Sequence, residues 1–409
     1  MNLTRQDREQ ILKKVIDLVE KKHFNPGLNG VNWPAVVESR RARVLDSETP
    51  ELFEQEVHEM VSQMKTSHTG FFHQGARSIP ARLSINATFS KCETSGVQRW
   101  MFLDIHEGGP AHSAGLEPGD VLLKLEGEEI APPNQPVFKM GHDSEITVLK
   151  RNGTEISLTL SVPTPKMKKH PVNQPQAVSV RRIQDGIGLL RVTMFPGIIG
   201  IDFAHDIDRA IRQLSCDRLI VDMRGNTGGG IGGLRLMSYM TPGKVPVGYS
   251  LTRAKAEKGY KKESLPRFGR IPNSKLALPW LAIRYGPSGG SIAVVTEGLG
   301  HQRFHGRIVM LVNQQSASAA EMVAGFAVEN KLATIVGTRT AGRLLSGSAF
   351  KVGHGYILGL PVAAYYTWQG ALLEGKGVQP DVEAELTYES LKAGRDPQLD
   401  KAIETVKAL

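Results

Sequence analysis

Ser318 stands between two apolar runs of different period. Before it, Ile308-Val309-Met310-Leu311-Val312 is long enough and rich enough in β-branched residues to predict a buried strand. After it, Ala319, Met322, Val323, Phe326 and Ala327 recur at helical spacing, which predicts a helix starting at about Ser318. A second β-like run, Ala333 to Gly337, closes a strand–helix–strand unit. A serine on such a turn holds its hydroxyl out of the core, and the free N–H groups of the helix's first turn face any anion formed beside it. That is chemistry suited to a nucleophile. The plainer role is an N-cap, which serine commonly fills. A second stretch, Met223-Arg224-Gly225-Asn226-Thr227-Gly228-Gly229-Gly230, follows the predicted strand Ile220-Val221-Asp222. Its three successive glycines let backbone N–H groups approach a ligand directly. The Gly-Lys-Ser/Thr ending of a phosphate loop is missing, so an oxyanion loop, or simply a tight turn, is the better reading.

The elements that must position these residues fall into three texture zones. Residues 1–78 read as a helical unit, with an apolar stripe at Ile11, Val15, Leu18 and Val19, and helix starts near Trp33 and at Thr49-Pro50. Residues 79–165 read as short strands and turns: Ala81–Ile85, Trp100–Ile105, Val121–Leu125, Glu145–Leu149 and Glu155–Leu160, the last pair joined across Asn152-Gly153. A linker rich in Pro and Lys, Pro163 to Pro175, leads to residues 166–409, where strands at Gly186–Val192, Arg218–Asp222, Ile308–Val312 and Ala333–Gly337 alternate with helical patterns at Ile201–Leu214, Ile231–Tyr239 and Ala319–Asn330. Alternation of this kind predicts an α/β core. The segment from Thr252 to Gly306 is basic, contains prolines and has weak periodicity, and reads as an excursion over the surface.

Composition narrows the function classes. With 409 residues the chain has room for two or three domains. No uninterrupted apolar stretch is long enough to span a bilayer. The charged N-terminal residues lack the apolar core and cleavage site of a signal peptide, so the reading is a cytoplasmic protein, or a periplasmic or secreted one had a leader been removed. Cys92 and Cys216 are far apart and form no metal or disulfide pattern. A net charge of +9 is modest for this length, its densest basic run (Lys166 to His170) reads as solvated linker, and no nucleic-acid module is visible.

Gly109-Pro110-Ala111, Ala114-Gly115-Leu116 and Gly119-Asp120-Val121 resemble the centre of a PDZ domain. That resemblance implies capture of an extended polypeptide segment along a sheet edge, or else a module that acts only as a lid. "DMRGNTGGG", then "SASAAE", then "ATIVGTRTAGR", resembles the S41 family of serine peptidases, and the order of helical unit, PDZ-like domain and α/β core matches that family along essentially the whole chain. The resemblance implies a core of the ClpP/crotonase type and puts the nucleophile on Ser318. C-terminal processing peptidases of the family use a lysine base in "GKG", where this chain has Gly342-Arg343-Leu344. Arginine stays protonated and cannot take the serine's proton. The tricorn-type branch uses serine, histidine and glutamate, and its motifs fall on Ser67-His68 and on Glu374 of Glu374-Gly375-Lys376-Gly377-Val378-Gln379-Pro380-Asp381.

Carried over, the resemblance makes His68 the general base and Glu374 the residue that fixes it, directly or through Ser67. The N–H groups of Gly228 or Gly229 and of Ala319 would hold the oxyanion. Arg343 reads either as a solvated turn residue or as a partner for a substrate's C-terminal carboxylate. His73 is the nearest rival base, with Lys351 and Lys376 behind it. The expected function is a serine endopeptidase acting on extended or unstructured polypeptide through an acyl-enzyme, without metal or cofactor. The rival is a catalytically silent binding protein on the same scaffold. A homo-oligomer is compatible with the sequence.

Overall fold

The computed structural model describes residues 3–75, 78–164, 176–184 and 186–409. Most of the Pro- and Lys-rich linker, with the basic run Lys166 to His170, lies outside the described residues. The chain divides into two compact units that do not follow chain order. One gathers Met1–Ala76, Lys244–Glu297 and Gly342–Gly377; the other gathers Arg77–Gly243, Gly298–Ala341 and Val378–Leu409.

In the first unit, three helices, Arg5–Lys22, Trp33–Leu45 and Pro50–Ser62, start where capping chemistry dictates. Thr4 and Asp7 form a capping box, and the Thr49 hydroxyl accepts the Leu52 N–H ahead of Pro50. Their apolar faces, including Ile11, Val15, Phe53, Val57 and Met60, are buried together with Phe71, Leu358 and Leu360 of a six-stranded sheet. Each such side chain contributes roughly 1.5–3 kcal/mol on burial. The sheet runs Gly70–His73, Tyr356–Thr367, Pro246–Thr252, Ile292–Val295 and Arg267–Phe268, with Leu345–Gly353 also paired to Tyr356–Thr367. The 252–306 stretch is therefore more than a surface excursion. Its Ile292–Val295 strand buries Ala293 and Val294 inside the sheet, and a four-residue apolar run is too short to register as a period.

The second unit holds a largely parallel sheet in the order Val178–Gln184, Ile187–Val192, Arg218–Asp222, Arg307–Val312, Thr334–Gly337, Val382–Glu383, of which only the first pair is antiparallel. Burial on both faces explains the near-continuous apolar runs that made these strands legible. Ile220, Val309 and Val336 pack on Ala402 and Val406 of the Pro397–Ala408 helix. The same unit carries an antiparallel sheet of Ala87–Thr94, Val97–Ile105, Val121–Leu125, Asp143–Leu149 and Glu155–Ser161, with Glu128–Glu129 at its side. The expected hairpin across Asn152-Gly153 is present. The expected strand at 81–85 is instead a short helix, Ala81–Ser84. Arg82 and Ser84, which an alternating strand would turn outward, are buried together with Ala81 and Ile85, and Arg82 donates to the carbonyls of Gly225 and Thr193.

Candidate active site

Two neighbouring parallel strands deliver the Ser318 region. Asp222 pairs with Leu311 in register, so the glycine loop and the serine turn leave the same end of the sheet side by side. The loops at the carboxyl ends of parallel strands are where α/β sheets place their ligands. The Ala317 N–H donates to the Asn226 carbonyl (2.9 Å), and Asn226 is itself fixed by its side-chain amide on the Val192 carbonyl (3.0 Å). Asn313 Oδ1 accepts the Gly225 N–H at 3.1 Å and the Gln315 N–H at 3.0 Å. Its Nδ2 donates to both oxygens of Asp104 on the antiparallel sheet. The start of the glycine loop is locked by a buried ion pair. Arg224 donates to Asp222 at 3.0 and 2.9 Å and to Asp396 at 2.9 Å. Burial alone would raise the Asp222 pKa, but the Arg224 and Arg191 charges outweigh it and hold the carboxyl at about 2.

Ser318 is half-buried and has φ 56° and ψ −119°, a conformation that costs a residue with a Cβ on the order of 1–3 kcal/mol. The main chain of the turn over-determines it. The Ser318 N–H donates to the buried Glu321 carboxylate at 3.0 Å, and the Ser318 carbonyl accepts the N–H groups of Glu321 (2.9 Å) and Met322 (3.0 Å). Thr340, from the loop after the next parallel strand, donates its hydroxyl to the other Glu321 oxygen at 2.6 Å. Gly228 lies directly against this turn. A Cβ at Gly228, where φ is +93°, would stand 2.6 Å from the Ser318 Cβ, and a Cβ at Gly229 would overlap the Phe195 carbonyl. The Gly228 N–H is donated to Asn226 Oδ1 at 2.8 Å. Of the two glycine donors named from sequence, Gly229 is therefore the one left with its N–H outside the loop's own hydrogen bonds among the described residues.

In the other unit, Ser67, His68 and Glu374 are brought together from sequence positions 307 apart. Glu374 accepts the Ser67 N–H (2.8 Å), the Ser67 hydroxyl (2.9 Å) and the Leu344 N–H (2.9 Å). Ser67 Oγ lies 2.9 Å from His68 Nδ1. Because the Ser67 hydroxyl proton is given to Glu374, its oxygen can only accept from His68. That makes Nδ1 the protonated nitrogen and leaves Nε2 with a lone pair. His68 has φ 61° and backs onto Gly347, where a Cβ would come within 2.9 Å of the His68 Cβ. Loss of surrounding water lowers the His68 pKa below its ordinary 6.5; the Glu374 charge acts to raise it, and the Arg343 charge reinforces the lowering.

Residues 186–384 match the model of peptidase family S41. The matched stretch is just under half of the chain. The chain is similar to a putative tricorn protease homologue of Streptomyces coelicolor, at 23% identity over 94% of this chain and 31% of that protein. It is also similar to a carboxy-terminal-processing protease of Bartonella bacilliformis, at 27% identity over 72% of this chain and 60% of that one. The chain thus spans about a third of the first relative and under two thirds of the second. Among solved structures, its mixed α/β fold resembles the photosystem II D1 C-terminal processing protease, with a TM-score of 0.58, 17% identity, and 98% and 97% of the two chains covered.

Within and around the matched stretch, the rival bases have other tasks. His73 accepts the Gly75 N–H at Nδ1 (3.1 Å) and has Nε2 on the His354 carbonyl (3.1 Å), so both ring nitrogens serve local structure. Lys351 and Lys376 are exposed. The residues that sequence reasoning passed over are Asn226, Asn313, Glu321 and Thr340, which hold the turn without being nucleophile or base. Ser318-Ala319-Ala320-Glu321 is a Ser-x-x-Glu capping pattern, and that signal would have found Glu321. No helix among the described residues is long and apolar enough to cross a membrane, and no group of metal-ligating side chains occurs among them.

Proposed function

We propose that this chain is a serine endopeptidase that cleaves extended polypeptide segments through an acyl-enzyme. Ser318 is the nucleophile, His68 the general base, and Ser67 and Glu374 position the imidazole. The observation that carries this reading is the Glu374–Ser67–His68 chain of hydrogen bonds, whose donor order leaves Nε2 as the basic nitrogen. Turnover requires His68 Nε2 to take the Ser318 proton as Oγ attacks the scissile carbonyl, and then to return it to the leaving amine. The N–H groups of Gly229 and Ala319 stabilise the oxyanion, each worth roughly 10²–10³ in rate. Arg343 stands where the lysine-dependent members keep their base. Its exposed guanidinium suits a substrate's C-terminal carboxylate.

The core is read as ClpP/crotonase-type, and the 87–161 sheet with the short Pro110–Ser113 helix as a PDZ-like domain that takes substrate as an added strand or covers it. Labelling with a fluorophosphonate across a pH series tests the assignment without needing the natural substrate. Wild type should label with reactivity rising through the histidine range, Ser318→Ala should not label, and His68→Ala should label far more slowly. Absence of labelling in a folded sample at every pH would favour a silent binding protein.

A further inference from the structure

The segment 244–297 carries ten basic and three acidic residues, a net of +7 within a chain of +9. The catalytic reading uses none of them. At its centre the helix Leu278–Tyr285 (LPWLAIRY) buries only Leu281. Leu276, Trp280 and Ile283, spaced four and three residues apart along one side, are 90, 55 and 76% exposed. Leu276 stands on the short turn Lys275–Ala277 and the other two on the helix, so two consecutive elements present one exposed apolar face. Beside them opens a cleft of about 750 Å³ edged by Lys244, Arg267, Arg270, Arg284 and the rings of Trp280 and Trp368, and no Asp or Glu lines it among the described residues. The Arg284 guanidinium lies 5.0 Å from the Trp280 ring centre and 5.5 Å from that of Tyr285, which fixes the cation at the root of the apolar protrusion.

We propose that this face docks on an anionic lipid bilayer, with Leu276, Trp280 and Ile283 entering the headgroup–acyl boundary and Lys244, Arg267, Arg270 and Arg284 meeting lipid phosphates. Charge complementarity selects that occupant. An exposed apolar face beside a cleft edged by four cations, with no carboxylate among that cleft's described lining residues, matches a surface that is apolar below and anionic above. A tryptophan with a polar ring edge is at home at that depth. The attachment is peripheral and reversible, as the amphipathic segment is short.

The test is co-sedimentation of the full chain with vesicles of phosphatidylcholine alone and of phosphatidylcholine with one third phosphatidylglycerol, over a salt series. Binding is expected to the anionic vesicles only, and to weaken as salt rises. The triple variant Arg267→Gln/Arg270→Gln/Arg284→Gln should bind on the order of 100-fold more weakly. Leu276→Ser/Trp280→Ser/Ile283→Ser should lose on the order of tenfold or more, with circular dichroism unchanged because all three side chains are exposed. Equal binding to both vesicle types, binding of inorganic phosphate without vesicle binding, or a fall in molecular mass by light scattering in the apolar variant with no vesicle binding would each overturn the proposal. The last of these would make the face a contact between copies of the chain.

Discussion

Around Ser318 the turn is tied by main-chain and buried side-chain bonds to loops from the strands on either side, and Asn313 adds an anchor to Asp104 on the antiparallel sheet. His68, by contrast, sits at a left-handed corner just before an edge strand and is held through a single relay, Ser67 and Glu374, from opposite ends of the chain. The first region is stiff because its polar atoms are buried and satisfied. The second keeps one face open to solvent, and its basicity is set by a balance of lost water and two opposed charges. A nucleophile needs a fixed address. A base needs a tautomer and a pKa, and fewer contacts suffice for those.

The comparison can be broken most directly at the reacting atoms. Ser318→Ala should reduce peptide hydrolysis by roughly 10⁴-fold or more, and His68→Ala by roughly 10²–10⁴-fold. The double variant should lose little beyond Ser318→Ala alone. Additive losses in a casein or peptide-library assay would show that the two do not act as a unit. The stiffness of the serine region rests on Arg224. Arg224→Leu leaves the buried Asp222 carboxylate with only the Arg191 guanidinium at 3.6 Å, and urea unfolding should show a loss of about 3 kcal/mol.

Smaller effects sharpen the contrast between the two glycine backings. Gly228→Ala drives a methyl into the Ser318 turn and should lower turnover on the order of 10²–10³-fold in a protein that still folds. Gly347→Ala should cost less, since the solvent-exposed His68 can give way. The pH profile carries the smallest changes. With His68 as the proposed base, its neutral form does the work and its pKa lies below 6.5, so activity should persist below that pH and be lost as pH falls through the lowered value. Arg343→Gln removes a lowering charge and should move that limb to higher pH; Glu374→Gln removes a raising charge and should move it lower. A stability limb has the same sign elsewhere. His106 is fully buried, and burial together with the Arg82 and Arg191 charges keeps its pKa well below 6.5. The unfolded chain therefore binds a proton that the folded chain refuses, and stability should fall by at most about 1.4 kcal/mol per pH unit below 6.5.

What the sequence by itself determined is the part written in local periods. The strands 218–222 and 307–312, the helices from Ile201 and Ala319 and the caps at Thr49 and Ser318 follow from apolar spacing and capping chemistry over a few residues. Ser318 was legible as a serine on a strand-to-helix turn, whereas Ser67, His68 and Glu374 were singled out only through the family resemblance. Tertiary structure alone decided the rest. Arg82, polar in an alternating stretch, is buried because carbonyls of Gly225 and Thr193 wait for it, and no window of sequence around residue 82 contains them. The strand at 292–295 exists because Pro246–Thr252 and Arg267–Phe268 flank it. Which of Gly228 and Gly229 can face an oxyanion depends on where the Asn226 side chain points. The protonated nitrogen of His68 depends on a glutamate more than 300 residues away. Local spacing can encode an element and its cap, but hydrogen-bond direction and pKa are set by whatever the fold brings within a few ångströms.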